Sequence, residues 1–174
     1  FMIRLLSILA VFATLQQSLA QGRINPTEEL TAAAKQFSFC LLEKRWLDAA
    51  KMSDANIVGQ KGNFEGVADS YKDAVNAIVT EHGAMLQAVK PSKPTFGKRT
   101  NKHFFAVIPI VLTFESLEKR VELTWQMVAV SSDGGRQWTF GQFTATKWVK
   151  SFYPDFPSSV TVRQDPVPVV YNKQ

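Results

Sequence analysis

Apolar and polar side chains alternate without interruption through the middle of the chain, between residues 120 and 130. The odd-numbered positions are apolar, and the even-numbered positions up to 126 are charged or polar. The apolar set is Val121, Leu123, Trp125, Met127 and Ala129. The polar set is Arg120, Glu122, Thr124 and Gln126. A period of two is typical of a β-strand that buries one face, so the pattern predicts a half-buried strand here.

Two further strand candidates flank this one, over residues 103–116 and 137–143, and short turns join all three. The second turn reads Ser131-Ser132-Asp133-Gly134-Gly135-Arg136. Its Asp-Gly-Gly favours a hairpin, because such turns need positive φ and glycine adopts it without a steric penalty. The stretch 103–143 therefore predicts a three-stranded antiparallel meander.

The same turn fits the Asp-box pattern Ser-x-Asp-x-Gly-x-x-Trp of sialidases and other propellers, through Ser131, Asp133, Gly135 and Trp138. Propellers repeat this box, whereas this chain of 174 residues holds one copy. We therefore interpret the four residues as a structural turn. The Asp133 carboxylate is expected to accept backbone N–H groups, Gly135 to adopt the left-handed conformation, and Trp138 to pack underneath.

Helical spacing dominates the chain before residue 83. Asn25 can cap a helix, Pro26 suits its first turn, and Glu28 completes a capping box, so a first helix is predicted to begin here. Apolar residues then recur at helical spacing to residue 41. The segment 43–52 predicts a bend into a short second helix.

The remaining elements follow from local composition. Residues 53–64 are polar and contain glycine, which predicts a loop, and a third helix is expected over 65–82. A first strand over 84–89 and a long basic hairpin connection over 90–102 precede the meander. A short helix is predicted within 146–156. Helices followed by a run of antiparallel strands form an α+β arrangement.

This order of elements, with EKRWLDAAKM at the bend after the first helix, resembles the nuclear-transport-factor-2-like fold, the α+β cone shared with ketosteroid isomerase. The chain is also similar to uncharacterised exported bacterial proteins in which a strand ends in sequence like AVSSDGGRQWTF and a tail like FYPDFPSSVTV follows. The similarity spans roughly residues 26–162. It implies N-terminal helices packed on the concave side of a curved antiparallel sheet, often with a pocket between them. Folds of this kind carry enzymes, binding modules and adaptors alike.

The start of the chain has the features of a Sec-type signal peptide. Arg4 supplies a positive charge, residues 5–15 are apolar, and small residues precede Gln21. The apolar run is too short for a comfortable membrane span, so we expect cleavage after Ala20 and no stable membrane anchor. The expected divisions are a signal peptide (1–20), an α+β cone domain (21–156) and a Pro-rich extended tail (157–174). Such a protein would be periplasmic or extracellular.

Composition narrows the range of partners. The chain has 20 basic and 15 acidic residues, so losing Arg4 with the signal peptide leaves 19 against 15, a mild charge of +4. This charge does not indicate nucleic acid, and the basic connection 90–102 holds only one aromatic ring for stacking. The single Cys40 has no partner for an internal disulfide, and neither His82 nor His103 has a second ligand at metal-binding spacing. We predict no metal site and no cofactor.

Four aromatic residues fall near the concavity that the resemblance implies: Trp46, Tyr71, Phe104 and Trp125. We take them as candidates for lining an apolar pocket between the helices and the sheet. Catalysis of the isomerase kind needs a carboxylate base facing such a cavity, whereas the inward positions of the meander are apolar. The leading hypothesis is an exported, non-catalytic domain that binds a small apolar ligand. An isomerase-like or hydratase-like enzyme acting on a small apolar substrate is a further alternative.

The odd-numbered and the even-numbered residues of 104–112 are both apolar, so both faces of this predicted strand are apolar. One parity is expected to face the helices, which leaves Phe105, Val107 and Val111 on an outer face that something must cover. Pro109 within this strand indicates a bulge or an edge. Either the Pro-rich tail or a second subunit in a homodimer would provide the cover. An interaction or structural protein acting through the outer sheet face is therefore the second functional hypothesis.

Overall fold

A computed structural model describes residues 25–97, 99–143, 145–162 and 168–173 of the chain. The helices are α1 (Pro26–Leu42), α2 (Trp46–Lys51), α3 (Ala55–Lys61), α4 (Phe64–His82) and α5 (Thr146–Phe152). The strands are β1 (Met85–Pro91), β2 (Thr95–Phe96), β3 (Phe104–Glu115), β4 (Lys119–Ser131), β5 (Thr139–Gln142) and β6 (Val169–Asn172). The predicted α+β class is confirmed. The proposed signal peptide, 1–20, lies outside the described residues.

Local signals place the long helices where the sequence predicts them. The Asn25 side chain caps α1 by accepting a hydrogen bond from the Thr27 N–H at 3.1 Å, and its amide donates to the Glu28 carboxylate at 2.8 Å. At the start of α4 the Asn63 side chain accepts from the Gly66 N–H at 2.8 Å. The helix ends at Gly83, whose φ of 60° is left-handed.

The loop predicted over residues 53–64 is wrong, because this segment contains α3. The Asp54 side chain caps the helix by accepting from the Asn56 N–H at 2.9 Å, and Gly62 ends it with a φ of 87°. None of its seven residues is fully buried. A helix held by its caps carries no apolar stripe, so the usual periodic signal was missing from the sequence.

The sheet is built on the long β3–β4 pair, whose register runs from Phe104 opposite Ser131 to Glu115 opposite Arg120. The six strands are antiparallel, and each edge of this pair is shared by two shorter strands. β1 and β2 pair with different parts of β3, while β5 and β6 pair with opposite ends of β4. The predicted meander is confirmed, and the tail contributes β6.

The helices α1, α2 and α4 pack on one face of the sheet. The apolar parity of β4, from Val121 to Ala129, is buried there together with the even-numbered side chains of β3. The aromatic residues Phe37 on α1, Tyr71 on α4 and Phe140 on β5 complete this core. Within the described ranges, no helix has the length and hydropathy required to cross a bilayer.

The opposite face of the sheet carries a second, smaller apolar cluster. Phe105 and Val107 on β3 and Val128 and Val130 on β4 are buried in it. The chain itself supplies the cover, through α5 and the segment that follows it. The covering residues of the cluster are Phe143, Val149, Tyr153, Phe156, Val160 and Val162. Further along the same face, Val111 is only half-buried.

Candidate functional site

Two of the four aromatic residues predicted to line a pocket instead fill the space between helices and sheet. Tyr71 stacks on Trp125 with ring centroids 6.0 Å apart and meets Phe37 edge-on at 5.6 Å. The Tyr71 hydroxyl is hydrogen-bonded to the Ser53 hydroxyl at 2.9 Å, and burial raises the pKa of Tyr71 to about 12. The rings of Tyr71 and Trp125 are therefore part of the packed core, and the Tyr71 hydroxyl stays protonated.

The other two predicted pocket residues lie at the margins of the core. Phe104 is half-buried at the start of β3, with the Arg99 guanidinium 4.7 Å from its ring centroid. Trp46 lines an open cleft of about 540 Å³ between α2 and α4. Charged residues form the rim of this cleft. One of them, Lys44, has a left-handed backbone φ of 56°. Exposed charges of both signs are solvated, and they fix no single ligand chemistry.

The predicted structural turn has the expected hydrogen bonds. The Asp133 carboxylate accepts from the backbone N–H groups of Gln137 and Arg136, each at 3.0 Å, and from the Ser131 hydroxyl at 2.8 Å. These bonds, led by that from Gln137, hold the pKa of Asp133 below its ordinary value. Gly135 has a φ of 92° and accepts at its carbonyl from the Trp138 indole N–H at 3.1 Å.

A second cleft, of about 330 Å³, lies where three elements meet at the β5 side of the sheet. α3 contributes one wall, the end of β5 contributes the floor, and α5 contributes the other wall. Its lining residues are Ile57, Gln60, Gln142, Phe143, Trp148 and Phe152. We call it the Trp148 cleft. The sequence does not predict this cleft, because α3 lacks the periodic pattern of a helix and the three elements are far apart in the chain.

The buried carboxylate of Asp54, which is 3% exposed, joins the same three elements. It caps α3, and its Oδ2 accepts from the Tyr153 hydroxyl at 2.5 Å and from the Thr139 hydroxyl at 3.3 Å. Thr139 begins β5, and Tyr153 directly follows α5. Burial, together with the hydrogen bond to Asp54 and its charge, raises the pKa of Tyr153 above the ordinary value. One carboxylate therefore holds all three walls of the Trp148 cleft in place.

The floor of the cleft depends on a close approach that only glycine permits. A Cβ atom at Gly141 would lie 2.5 Å from a ring atom of Phe143 and 3.1 Å from a side-chain carbon of Ile57. Above this floor the Trp148 indole is 51% exposed. The side-chain amides of Gln60 and Gln142 make no hydrogen bond to another side chain or backbone group within the described ranges. The cleft thus offers one flat ring and two available amides.

A third polar cluster ties the segment between α5 and the tail to the connection just before β3. The Asp155 carboxylate lies 3.1 Å from the His103 Nδ1 and accepts from the Thr100 hydroxyl at 2.6 Å. Partial burial alone would raise the pKa of Asp155, but the bonds from Thr100 and His103 outweigh it, and the pKa lies below its ordinary value. The Thr100 hydroxyl faces the Asp155 carboxylate and the His103 backbone carbonyl, and the His103 imidazole is bonded to Asp155, so the imidazole does not activate this hydroxyl. The cluster acts as a clamp.

The Tyr153–Asp54 pair has the residue types of an isomerase site, but the arrangement is structural. The carboxylate already receives three donors, and neither residue lines any of the clefts described above. Among the described residues, no three His, Cys, Asp or Glu side chains are grouped as metal ligands would be. Cys40 is a buried cysteine with a free thiol.

Comparison with known proteins does not name a function. No model of a protein family matches the sequence, and no curated protein is significantly similar to it.

Proposed function

We propose that this protein is an exported, non-catalytic binding module of the nuclear-transport-factor-2-like kind, which holds a small ligand in the Trp148 cleft. The observation that carries the proposal is the buried Asp54 carboxylate, which joins α3, β5 and α5. These are the three elements whose side chains line the cleft. Helices before an antiparallel sheet, and the pattern of residues 1–20, support the proposed kinship and export.

Preorganisation is the physical reason that this network favours binding. A ligand that enters a site with fixed walls does not have to order them, so less of its interaction free energy is lost. α3 buries none of its residues fully, and only Ile57 and Val58 pack partly against the apolar clusters. The cap at Asp54 adds to this packing in fixing the helix, and Ile57 and Gln60 face Trp148 across the cleft.

The cleft also has the size and polarity of a ligand site. Its volume of about 330 Å³ lies at the lower end of the range for small-molecule pockets, roughly 300–1,000 Å³. None of its six lining side chains carries a formal charge. A charged ligand would lose hydration there without gaining an ion pair, so the ligand should be uncharged.

Native mass spectrometry of protein purified from its own host tests this proposal. We expect the wild type to retain a non-covalent small molecule, and Trp148→Ala to lose it. Trp46→Ala is the matched control, because it removes the half-buried indole of the other cleft. The proposal is overturned if the wild type carries no ligand, or if Trp148→Ala retains the ligand as well as Trp46→Ala does. N-terminal sequencing that begins at Gln21 would support export.

A second candidate function is interaction with another chain through the sheet, and the exposed strand β6 favours it at the sheet edge. β6 pairs with β4 along one side, and Val169, Val170 and Tyr171 on it are each close to half exposed. An exposed apolar edge strand can pair with a strand of another chain. Sedimentation would show a homodimer that Tyr171→Lys dissociates. A monomer at all concentrations would exclude self-association through this edge.

A further inference from the structure

The side chains of the Trp148 cleft narrow the chemical class of its ligand. We infer that the cleft takes a neutral mono- or disaccharide, an inference that rests on the proposed binding function. The cleft presents one exposed indole, a neighbouring Phe152 ring, and the two side-chain amides of Gln60 and Gln142. These groups distinguish a sugar from both apolar and charged ligands.

The exposed indole suits the apolar face of a sugar ring. A pyranose presents several C–H groups on one face, while its hydroxyls project around the ring. Stacking that face on the Trp148 indole removes apolar area from water on both partners and leaves the hydroxyls free to bond sideways. Phe152, half-buried on the same wall, extends the apolar surface.

The two amides argue against a purely apolar ligand. Each amide of Gln60 and Gln142 has two donor hydrogens and an acceptor oxygen. Covering them with hydrocarbon would remove their water without replacing its hydrogen bonds, which is unfavourable. A sugar hydroxyl is both donor and acceptor, so neighbouring hydroxyls satisfy both ends of an amide. The apolar ligand expected from the sequence therefore fits this cleft less well than a saccharide.

The neighbouring charge distinguishes neutral from acidic sugars. Lys147 does not line the cleft, but its ammonium lies 5.4 Å from the Trp148 ring centroid. Such a solvated cation contributes little to the binding of a neutral molecule. If the ligand were acidic, removal of Lys147 would weaken binding, so Lys147→Ala separates the two classes.

Intrinsic tryptophan fluorescence and saturation-transfer NMR with cellobiose, maltose and N,N′-diacetylchitobiose test the inference. At least one of these should bind with a Kd on the order of 1 mM or tighter. Trp148→Ala should weaken that binding about tenfold or more, since it removes the stacking surface. Gln60→Leu keeps the approximate shape without the amide and should also weaken it. Trp46→Ala and Lys147→Ala should bind like the wild type, and thermal melting would verify that every variant is folded.

Four results would overturn the saccharide assignment. The first is that none of the three sugars binds. The second is that Trp148→Ala binds them as the wild type does, and the third is that binding requires an acidic sugar and Lys147. A non-saccharide molecule that native mass spectrometry finds in the wild type and not in Trp148→Ala would also overturn it. That last outcome leaves the binding function intact, whereas a wild type without any ligand removes the function itself.

Discussion

The outer face of the sheet has two halves that share the same strands and the same side-chain parity but differ in cover. In one half, Phe105 and Val107 on β3 lie opposite Val130 and Val128 on β4, and all four are buried. In the other half, Val111 lies opposite Thr124, and both are half-buried. α5 and the tail cover the first half.

The difference shows that parity alone does not decide burial. Parity tells which side chains share a face, and the chemistry of that face tells whether a cover stabilises it. Four apolar side chains in one patch favour a covering layer, whereas Thr124 and Gln126 in the other half are polar and keep part of their surface in water. The covering layer contains Tyr153, whose hydroxyl donates to Asp54, so the Trp148 cleft exists because one half of the face is covered.

The largest expected effect comes from placing a charge in each half. Val107→Lys puts an ammonium under α5 and the tail, where Val107 is 4% exposed, and should lower the free energy of unfolding by about 3–5 kcal/mol. It should also open residues 153–162 to proteolysis. Val111→Lys is the matched control in the other half and should change stability by less than about 1 kcal/mol. Urea denaturation and limited proteolysis measure both, and equal losses would mean that the two halves do not differ.

The next effect tests the anchor of the cover. Asp54→Ala leaves the Tyr153 and Thr139 hydroxyls without their acceptor and should cost about 2–4 kcal/mol of unfolding free energy. Tyr153→Phe should cost less, and a double-mutant cycle should give a coupling of about 1–2 kcal/mol. Asp48→Ala removes an exposed carboxylate paired with Arg45 and serves as the control, with a loss below about 1 kcal/mol. Independent, additive losses at Asp54 and Tyr153 would contradict the network.

A third prediction concerns the turn at residues 131–136, on the helical side of the sheet. Substitutions in this turn should lower the stability of the whole fold without selectively releasing α5 and the segment that follows it. Gly134 and Gly135 both have positive φ, 81° and 92°. A Cβ at Gly134 meets open space, whereas one at Gly135 lies 2.7 Å from the Pro26 Cβ. Gly134→Ala should therefore cost about 1 kcal/mol, and Gly135→Ala about 2 kcal/mol or more. Thermal melting would show the difference, and identical shifts would mean that Pro26 does not crowd this position.

The smallest expected effect is a pH dependence of the clamp at Asp155. Its pKa is lower in the folded chain than its ordinary value, so its contribution is complete above the unfolded pKa, about 3.9. That contribution is lost as the pH falls through the folded pKa. Asp155→Asn should flatten the acid limb of the stability curve and release the tail to proteolysis at neutral pH. Asp133→Asn, at another carboxyl with a lowered pKa, should flatten the curve without releasing the tail.

Local signals explain why much of the fold was predictable. The alternation over residues 120–130, the Asp-Gly-Gly turn and the Asn25 cap each act within a few residues of themselves, so their chemistry can be read directly from the sequence. The sequence does not predict α3, because this helix is capped by Asp54 and Gly62 and lacks the apolar stripe that usually marks a helix. Of the four predicted pocket residues, only Trp46 lines one of the clefts described here, since Tyr71 and Trp125 pack against each other.

The α+β class, the strand parities and the turn depend on neighbours along the chain, so the residue pattern is enough to predict them. Which half of the outer face is covered, and where a cleft forms, depends on contacts between distant segments. Asp54 meets Thr139 and Tyr153 across 85 and 99 residues. Contacts over such separations leave no periodic trace in the sequence, and they arise only when packing of the sheet and helices brings the three elements together.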